Sequence, residues 1–342
     1  MVENVGKTEK ITVLGAGSWG IAIGNLLHEN GHKVKLWEFS PDDYQILLEH
    51  RTHPKKLPEA RIPNDILITN ILTEAITDAE YIVLAVPSQN VRNVCIQLKP
   101  ILTGNLNFIN LAKGVEVNSL LRVSEVVGET LPGFDHNRFA VLSGPSHAEE
   151  VTKDMPTSIV AASSNPELAK SVQRIFSNET FRVYRSSDLH GVELGGSLKN
   201  IIAIGSGILH GLGLGDNTSG ALITRGLAEI TRLGVKLGAE AETFAGLSGI
   251  GDLIATCLSK HSRNRYVGER IGRGEKLQDI LDSMVMVAEG VYTCQSAQEL
   301  SEKYKVEMPI TNEVYKVLFK NKSPKEAVTD LMTRSLKKEV WN

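Results

Sequence analysis

Residues 10–32 read KITVLGAGSWGIAIGNLLHENGH, and the order of residue types in this stretch decides the fold. Ile11, Thr12, Val13 and Leu14 make a short β-forming run. Gly15, Gly17 and Gly20 then spell GxGxxG, and Ile21, Ile23, Leu26 and Leu27 follow at spacings suited to the buried face of a helix. Strand, glycine turn and helix in that order are the context in which the motif holds a dinucleotide. Gly15 permits a tight turn, Gly17 lets a pyrophosphate approach the backbone, and Gly20 lets the helix pack on the strand, so that the helix's free N–H groups face the anion. A purely structural glycine turn is the alternative. A second strand-like run, 33–37, ends at Glu38, where such folds place the carboxylate that accepts hydrogen bonds from the adenosine ribose. Glu38 repels a 2′-phosphate, and Phe39, Ser40 and Pro41 beside it bring no cation, so the expected cofactor is NAD, with NADP the less suited form. A solvated strand-end carboxylate is the other reading of Glu38.

The rest of the chain falls into two patterns. Apolar runs of strand length recur at 66–69, 81–86, 107–111, 139–142, 158–162 and 181–184, most of them separated by helical patterns such as 41–50, 88–98 and 166–176. Strands alternating with helices predict a Rossmann-type, doubly wound, mostly parallel α/β sheet. Segment 51–63, with its three prolines, reads as a surface loop. Beyond Ser187 the strand-like runs give way to helical periodicities, exemplified by Leu194, Leu198, Ile201, Ile202 and Ile208, which predict a C-terminal all-α domain. The expected division is 1–188 for dinucleotide binding and 189–342 for substrate binding and catalysis.

Composition narrows the function classes. A chain of 342 residues, 42% hydrophobic and 23% charged, is long enough for two cores and ordinary for a globular protein. The net charge of −3 gives no reason to bind nucleic acid. The longest apolar stretch, 201–212, is about half of what a membrane span needs, and the opening MVENVGKTEK has no apolar core of the signal-peptide kind, so a cytoplasmic location is expected. Cys95, Cys257 and Cys294 are too few and too scattered for a disulfide framework or a zinc site. His28, Glu29 and His32 match HExxH, but Asn30 and Gly31 between them read as a helix end, so no metal is expected.

Strand ends of an open parallel sheet point at the ligand crevice, and three turns there carry polar groups. VPSQ at 86–89 is placed to pass beneath a cofactor, or Pro87 simply ends a strand. LAKG at 111–114 offers Lys113 to an anionic or hydroxylated substrate; SGPSHA at 143–148 offers Gly144, Ser146 and backbone N–H groups. A surface lysine and a plain strand-to-helix turn are the alternatives.

The candidate for catalysis is Lys199, which with Asn200 interrupts an apolar periodicity between Leu198 and Ile201. Burial penalises the charged amine and lowers its pKa, which suits a group that takes a proton from an alcohol and returns it to a ketone. Asn200 is placed to hydrogen-bond the same oxygen, and a snorkelling lysine is the alternative. Asp252, in SGIGD, either pairs with Lys199 or caps a helix, and Thr256 lies one turn on. The locally basic segment 260–276 contains a candidate N-cap, Ser262, followed by Arg263 and Asn264: a phosphate seat on a helix N-terminus, or a solvated basic face. Val287 and Glu289, in VMVAEGV, are candidates to approach the cofactor.

The motifs GAGSWG, AVPSQNVR, LAKGVE, VLSGPSHAEEV, ELGGSLKNIIAI, ALITRGLAEITRLG, GIGDLIATC, SRNR and VAEGV, in this order, closely resemble bacterial-type NAD(P)-dependent glycerol-3-phosphate dehydrogenase over roughly residues 11–339. The resemblance implies interconversion of sn-glycerol 3-phosphate and dihydroxyacetone phosphate, supplying phospholipid synthesis. It implies Lys199 as the proton acceptor, Lys113, Gly144, Ser146, Asp252, Ser262, Arg263 and Asn264 as substrate contacts, and Ser18, Trp19, Phe39, Lys113, Ala148, Arg263, Val287 and Glu289 as cofactor contacts. Ala112 and His147 stand where family members often carry Thr and Phe, and Phe39 lacks the basic neighbour that members often have, in keeping with Glu38. A homodimer joined through the helical domain is the expected assembly. The rival readings are a related dehydrogenase acting on a hydroxy acid and a non-catalytic NADH sensor.

Overall fold

β1 (Lys10–Leu14) buries every residue after its first, as a strand covered on both faces must, and lies inside an eight-stranded sheet. The computed structural model describes residues 7–339; the start of the segment read above against a leader, residues 1–6, and residues 340–342 lie outside them. The other strands are β2 (Lys33–Trp37), β3 (Leu67–Thr69), β4 (Tyr81–Leu84), β5 (Asn107–Asn110), β6 (Phe139–Ser143), β7 (Thr157–Ala162) and β8 (Phe181–Ser186). Their spatial order is β3-β2-β1-β4-β5-β6-β7-β8, and all neighbours run parallel except β6 and β7. Ile11 pairs with Val34 on one side and Tyr81 on the other, so β1, β2 and β4 end along one edge. The chain leaves β1 toward β2 and β3, then restarts at β4 on the opposite side, and this reversal opens a crevice at the strand ends.

The expected strands are all present with ends shifted by one or two residues: β3 begins at Leu67 and β4 stops at Leu84, while β6 runs on to Ser143 and β8 to Ser186. The helix expected over 88–98 opens as a 3-10 turn, Ser88–Asn90, and becomes α-helical only at Val91–Leu98. Segment 51–63 is not the surface loop its prolines suggest, because Leu57, Ala60 and Ile62 are buried in the sheet core. Proline prevents regular structure there without preventing burial. Two short helices, Leu72–Ile76 and Val123–Thr130, were too brief to show a period.

After β8 the described residues form helices only. The first, Leu189–Gly211, begins where Asp188 Oδ1 accepts from Gly191 N at 2.8 Å and is buried nearly all round. Helices Asp216–Lys236, Asp252–Leu258, Arg263–Gly272, Glu289–Tyr304 and Pro309–Phe319 pack around it. Its contact with Arg263–Gly272 is set by glycine: a Cβ on Gly207 would stand 2.0 Å from the Arg265 carbonyl oxygen, and one on Gly268 2.0 Å from that of Ile204. The backbones touch, which fixes Arg263 at the helix start relative to Lys199. Among the described residues no helix is long and apolar enough to cross a membrane, and no cluster of side chains suits a metal ion. His28 instead meets Asp65 at 3.0 Å, while His32 accepts from Glu9 N and lies 3.2 Å from the Ile175 carbonyl.

Candidate active site

One cleft of about 370 Å³ runs along the strand ends where the sheet meets the helical half. At one end lies the glycine turn. Gly15 has φ +109°, and a Cβ on Gly20 would stand 1.8 Å from the Gly15 carbonyl oxygen, so both are needed for the turn itself. Gly20 therefore packs beneath the cleft and does not line it. At Gly17 nothing stands within 4 Å of a Cβ position, and the helix it caps, Ser18–Glu29, has no side-chain cap. Open space above uncapped N–H groups suits a pyrophosphate.

Around that turn the cleft is lined by Gly15, Gly17, Ser18, Trp19, Glu38, Phe39 and a residue the sequence did not reveal, Lys56. Lys56 Nζ reaches Asp43 at 2.7 Å and Glu38 at 3.5 Å. Glu38 is thus not without a cation; the cation arrives from segment 51–63. Ser18 Oγ donates to the Lys56 carbonyl at 2.7 Å and lies 3.0 Å from Met286 Sδ, which brings the helical half over the turn. Phe39 is exposed and meets Trp37 edge-on, their ring centres 6.0 Å apart.

At the centre of the cleft Asp252 is buried between two amines: its Oδ1 is 2.9 Å from Lys199 Nζ and its Oδ2 2.7 Å from Lys113 Nζ. Lys199 is 5% exposed, so its amine has lost nearly all of its water. Burial, opposed by Asp252 and reinforced by Lys113, brings its pKa down to about 8. Burial also pushes Asp252 up, but Lys113 and Lys199 outweigh it and hold the carboxyl below its ordinary value. Of the two roles open to Asp252 it takes the pairing one; Gly251 is the N-cap. The preceding turn, Leu247–Gly251, is π-helical, and it delivers Asp252 to the cleft wall. Lys199 Nζ also donates to Thr256 Oγ1, which accepts while donating to the Asp252 carbonyl at 2.6 Å. Asn200 donates to the Lys113 carbonyl at 3.2 Å, and Lys113 Nζ and Ser146 Oγ both donate to the Gly144 carbonyl at 2.9 Å. Gly144 lies behind the wall against Ile159, so only its carbonyl serves the cluster.

The far end is the start of helix Arg263–Gly272. Ser262 Oγ accepts from Arg265 N at 3.2 Å, which makes it the N-cap. Arg263 Nη1 donates to the Val287 carbonyl at 3.1 Å, and Asn264 Oδ1 accepts from Gly290 N at 2.9 Å, tying this helix to the start of helix Glu289–Tyr304. Glu289 accepts from the backbone N–H of Ser88 and, at 3.2 Å, of Lys113, so one carboxylate holds the turns after β4 and β5. Ala148 and Val287 also line the cleft. Apart from Gly20 and Gly144, every residue expected at the site faces this cleft. The sequence did not reveal Lys56, His261 and Met286, because no local pattern links them to the motifs they meet.

A Rossmann sheet carrying a glycine turn, joined to a helical domain that brings a buried lysine to the strand ends, defines a nicotinamide-nucleotide-dependent dehydrogenase. The family model for the NAD-dependent glycerol-3-phosphate dehydrogenase N-terminus matches residues 10–169, and that for the C-terminus residues 188–329. The glycerol-3-phosphate dehydrogenase [NAD(P)+] of Prosthecochloris aestuarii is 52% identical over 96% of this chain and 99% of its own. That of Lysinibacillus sphaericus is 49% identical over 97% and 98%. The crystal structure of glycerol-3-phosphate dehydrogenase from Coxiella burnetii superposes with a TM-score of 0.92 at 35% identity, covering 96% of this chain and 99% of that one. The chain belongs to the NAD-dependent glycerol-3-phosphate dehydrogenase family.

Proposed function

We propose that this protein interconverts sn-glycerol 3-phosphate and dihydroxyacetone phosphate in the cytoplasm, supplying glycerol 3-phosphate for phospholipid synthesis. Residues 1–188 carry the dinucleotide and 189–342 the substrate. The observation that carries the reading is the shared cleft: the glycine turn, the Lys199–Asp252–Lys113 cluster and the Arg263 helix start all line it. When bound, the nicotinamide exchanges a hydride with C2 of the substrate. Ser262, Arg263, Asn264 and the first N–H groups of helix Arg263–Gly272 seat the phosphate. Two amines against one carboxylate leave the centre of the cleft with a net positive charge, which favours an anionic substrate. Lys199 gives its proton to the C2 oxygen in reduction and takes the hydroxyl proton in oxidation, with Asp252 and Thr256 fixing the amine. Lys113, whose backbone is held by Asn200 and Glu289, supplies the second positive charge.

NAD is the preferred cofactor in this reading. Lys56 is shared between Glu38 and Asp43, so one cation faces two carboxylates, and the balance still disfavours a 2′-phosphate. The test is steady-state reduction of dihydroxyacetone phosphate with NADH and NADPH side by side, and of unphosphorylated dihydroxyacetone and 2-keto acids with NADH. The expected result is turnover of the phosphorylated ketone, with a higher kcat/KM for NADH. Preference for a 2-keto acid would replace the substrate, and equal use of NADPH would remove the role given to Glu38.

A further inference from the structure

Two imidazoles at the mouth of the cleft have no part in the chemistry above. His147 follows β6 and stands at the N-cap position of the short helix Ala148–Val151; His261 immediately precedes Ser262. Both line the cleft, one from the sheet half and one from the helical half, and their ring centres are 6.1 Å apart with planes inclined at 49°. That spacing is too wide for the rings to bond each other, yet narrow enough for N–H groups of both to reach one tetrahedral anion. His147 caps nothing with its side chain, and its Nε2 is 3.5 Å from the Ala255 carbonyl, beyond the ordinary N–H···O range. Its polar contact to the protein is thus a long one, and the ring faces the cleft.

We propose that His147 and His261 clasp the substrate's phosphate from opposite halves of the molecule, and that this two-sided grip helps set the preference for a phosphorylated over an unphosphorylated ketone. The inference rests on reading Ser262, Arg263 and Asn264 as the phosphate seat, beside which His261 lies. Around His147 stand Lys199 from the long helix, Lys113 from the turn after β5 and Glu149 from its own helix; Glu59, paired with Lys153, faces His261. Burial first, and then Lys199, hold the His147 imidazole below its ordinary value. A phosphate dianion offsets the repulsion from the lysines, so its arrival favours the protonated ring and strengthens the grip as pH falls through the imidazole range.

The experiment measures kcat and KM for dihydroxyacetone phosphate and for dihydroxyacetone, with NADH saturating, in the wild type, His147→Leu, His261→Ala and the double variant. Each single substitution is expected to raise KM for the phosphorylated ketone by about five- to tenfold, the scale of one ordinary hydrogen bond lost, with a smaller change in kcat. The preference for phosphorylated substrate falls by the same factor. His147→Gln, which keeps a donor, is expected to recover part of the loss. In the wild type KM rises as the pH is raised through the lowered range of the His147 imidazole, and in the double variant this slope flattens. Variants that keep the wild-type KM and preference, or lose only kcat, overturn the clasp while leaving the phosphate seat intact. A wild-type enzyme indifferent to the phosphate overturns both.

Discussion

Lys199 shows how one residue's surroundings determine its chemistry. In water its amine would stay charged well above neutrality; buried beside Asp252 and Lys113, it titrates near 8. The sign for catalysis follows. Reduction needs the ammonium form as proton donor, so its rate holds below about pH 8 and declines above it. Oxidation of glycerol 3-phosphate needs the free amine, so its rate rises through the same range. Rate profiles measured in both directions check this: opposite limbs near the same pH are expected, and parallel limbs would assign the titration to another group. Lys199 was legible in the sequence because a cation interrupting an apolar period either snorkels to the edge of the helix or is buried with a partner. Asp252 was less so, since its pairing depends on a π-helical turn that no spacing rule encodes. Lys56 was not legible at all. It stands 18 residues from Glu38, and the contact exists only because Leu57, Ala60 and Ile62 fold the proline-rich segment back onto the sheet.

At the scale of elements, the distance between Lys199 and Arg263, the proposed proton carrier and phosphate seat, is a property of two helices in contact. Leu189–Gly211 carries Lys199, Arg263–Gly272 carries Arg263, and Gly207 and Gly268 let their backbones meet. In Gly268→Ala the added methyl would stand 2.0 Å from the Ile204 carbonyl oxygen, and only separation of the helices relieves it. The expected cost is about 1–3 kcal/mol of stability, together with a raised KM for dihydroxyacetone phosphate. Denaturant unfolding and steady-state kinetics on the same preparation check it; wild-type stability would show that the contact is not tight. The strands and long helices were readable because short continuous apolar, β-branched runs and apolar stripes of period 3.6 are local signals. The helix contact was not, because a glycine that admits a neighbouring backbone looks in sequence like one that merely bends a chain.

For the whole molecule, the cleft lies where the sheet meets the helices, whose cores interlock: Val115 packs in the helical cluster, and Leu189 and Val192 pack in one of the two sheet clusters. Glu289 reaches from the helical half to the N–H groups of Ser88 and Lys113, and Met286 reaches over the glycine turn to Ser18. These contacts hold the strand ends of the sheet against the helices, and in the proposed reaction such positioning supplies much of the rate enhancement of a two-substrate hydride transfer. The change from strands to helices could be read from the sequence, but Ser88 and Glu289, which meet across it, are 201 positions apart in the chain, and no periodicity links them. The central claim is that Lys199 moves the substrate's proton inside this join. The measurement that tests it most directly is turnover of dihydroxyacetone phosphate by Lys199→Ala, with NADH binding followed by fluorescence and small primary amines then added to the assay. The expected result is a kcat lowered by about 10²–10⁴-fold, NADH affinity retained, and part of the rate restored by the added amine. Near-wild-type turnover without amine would contradict the account.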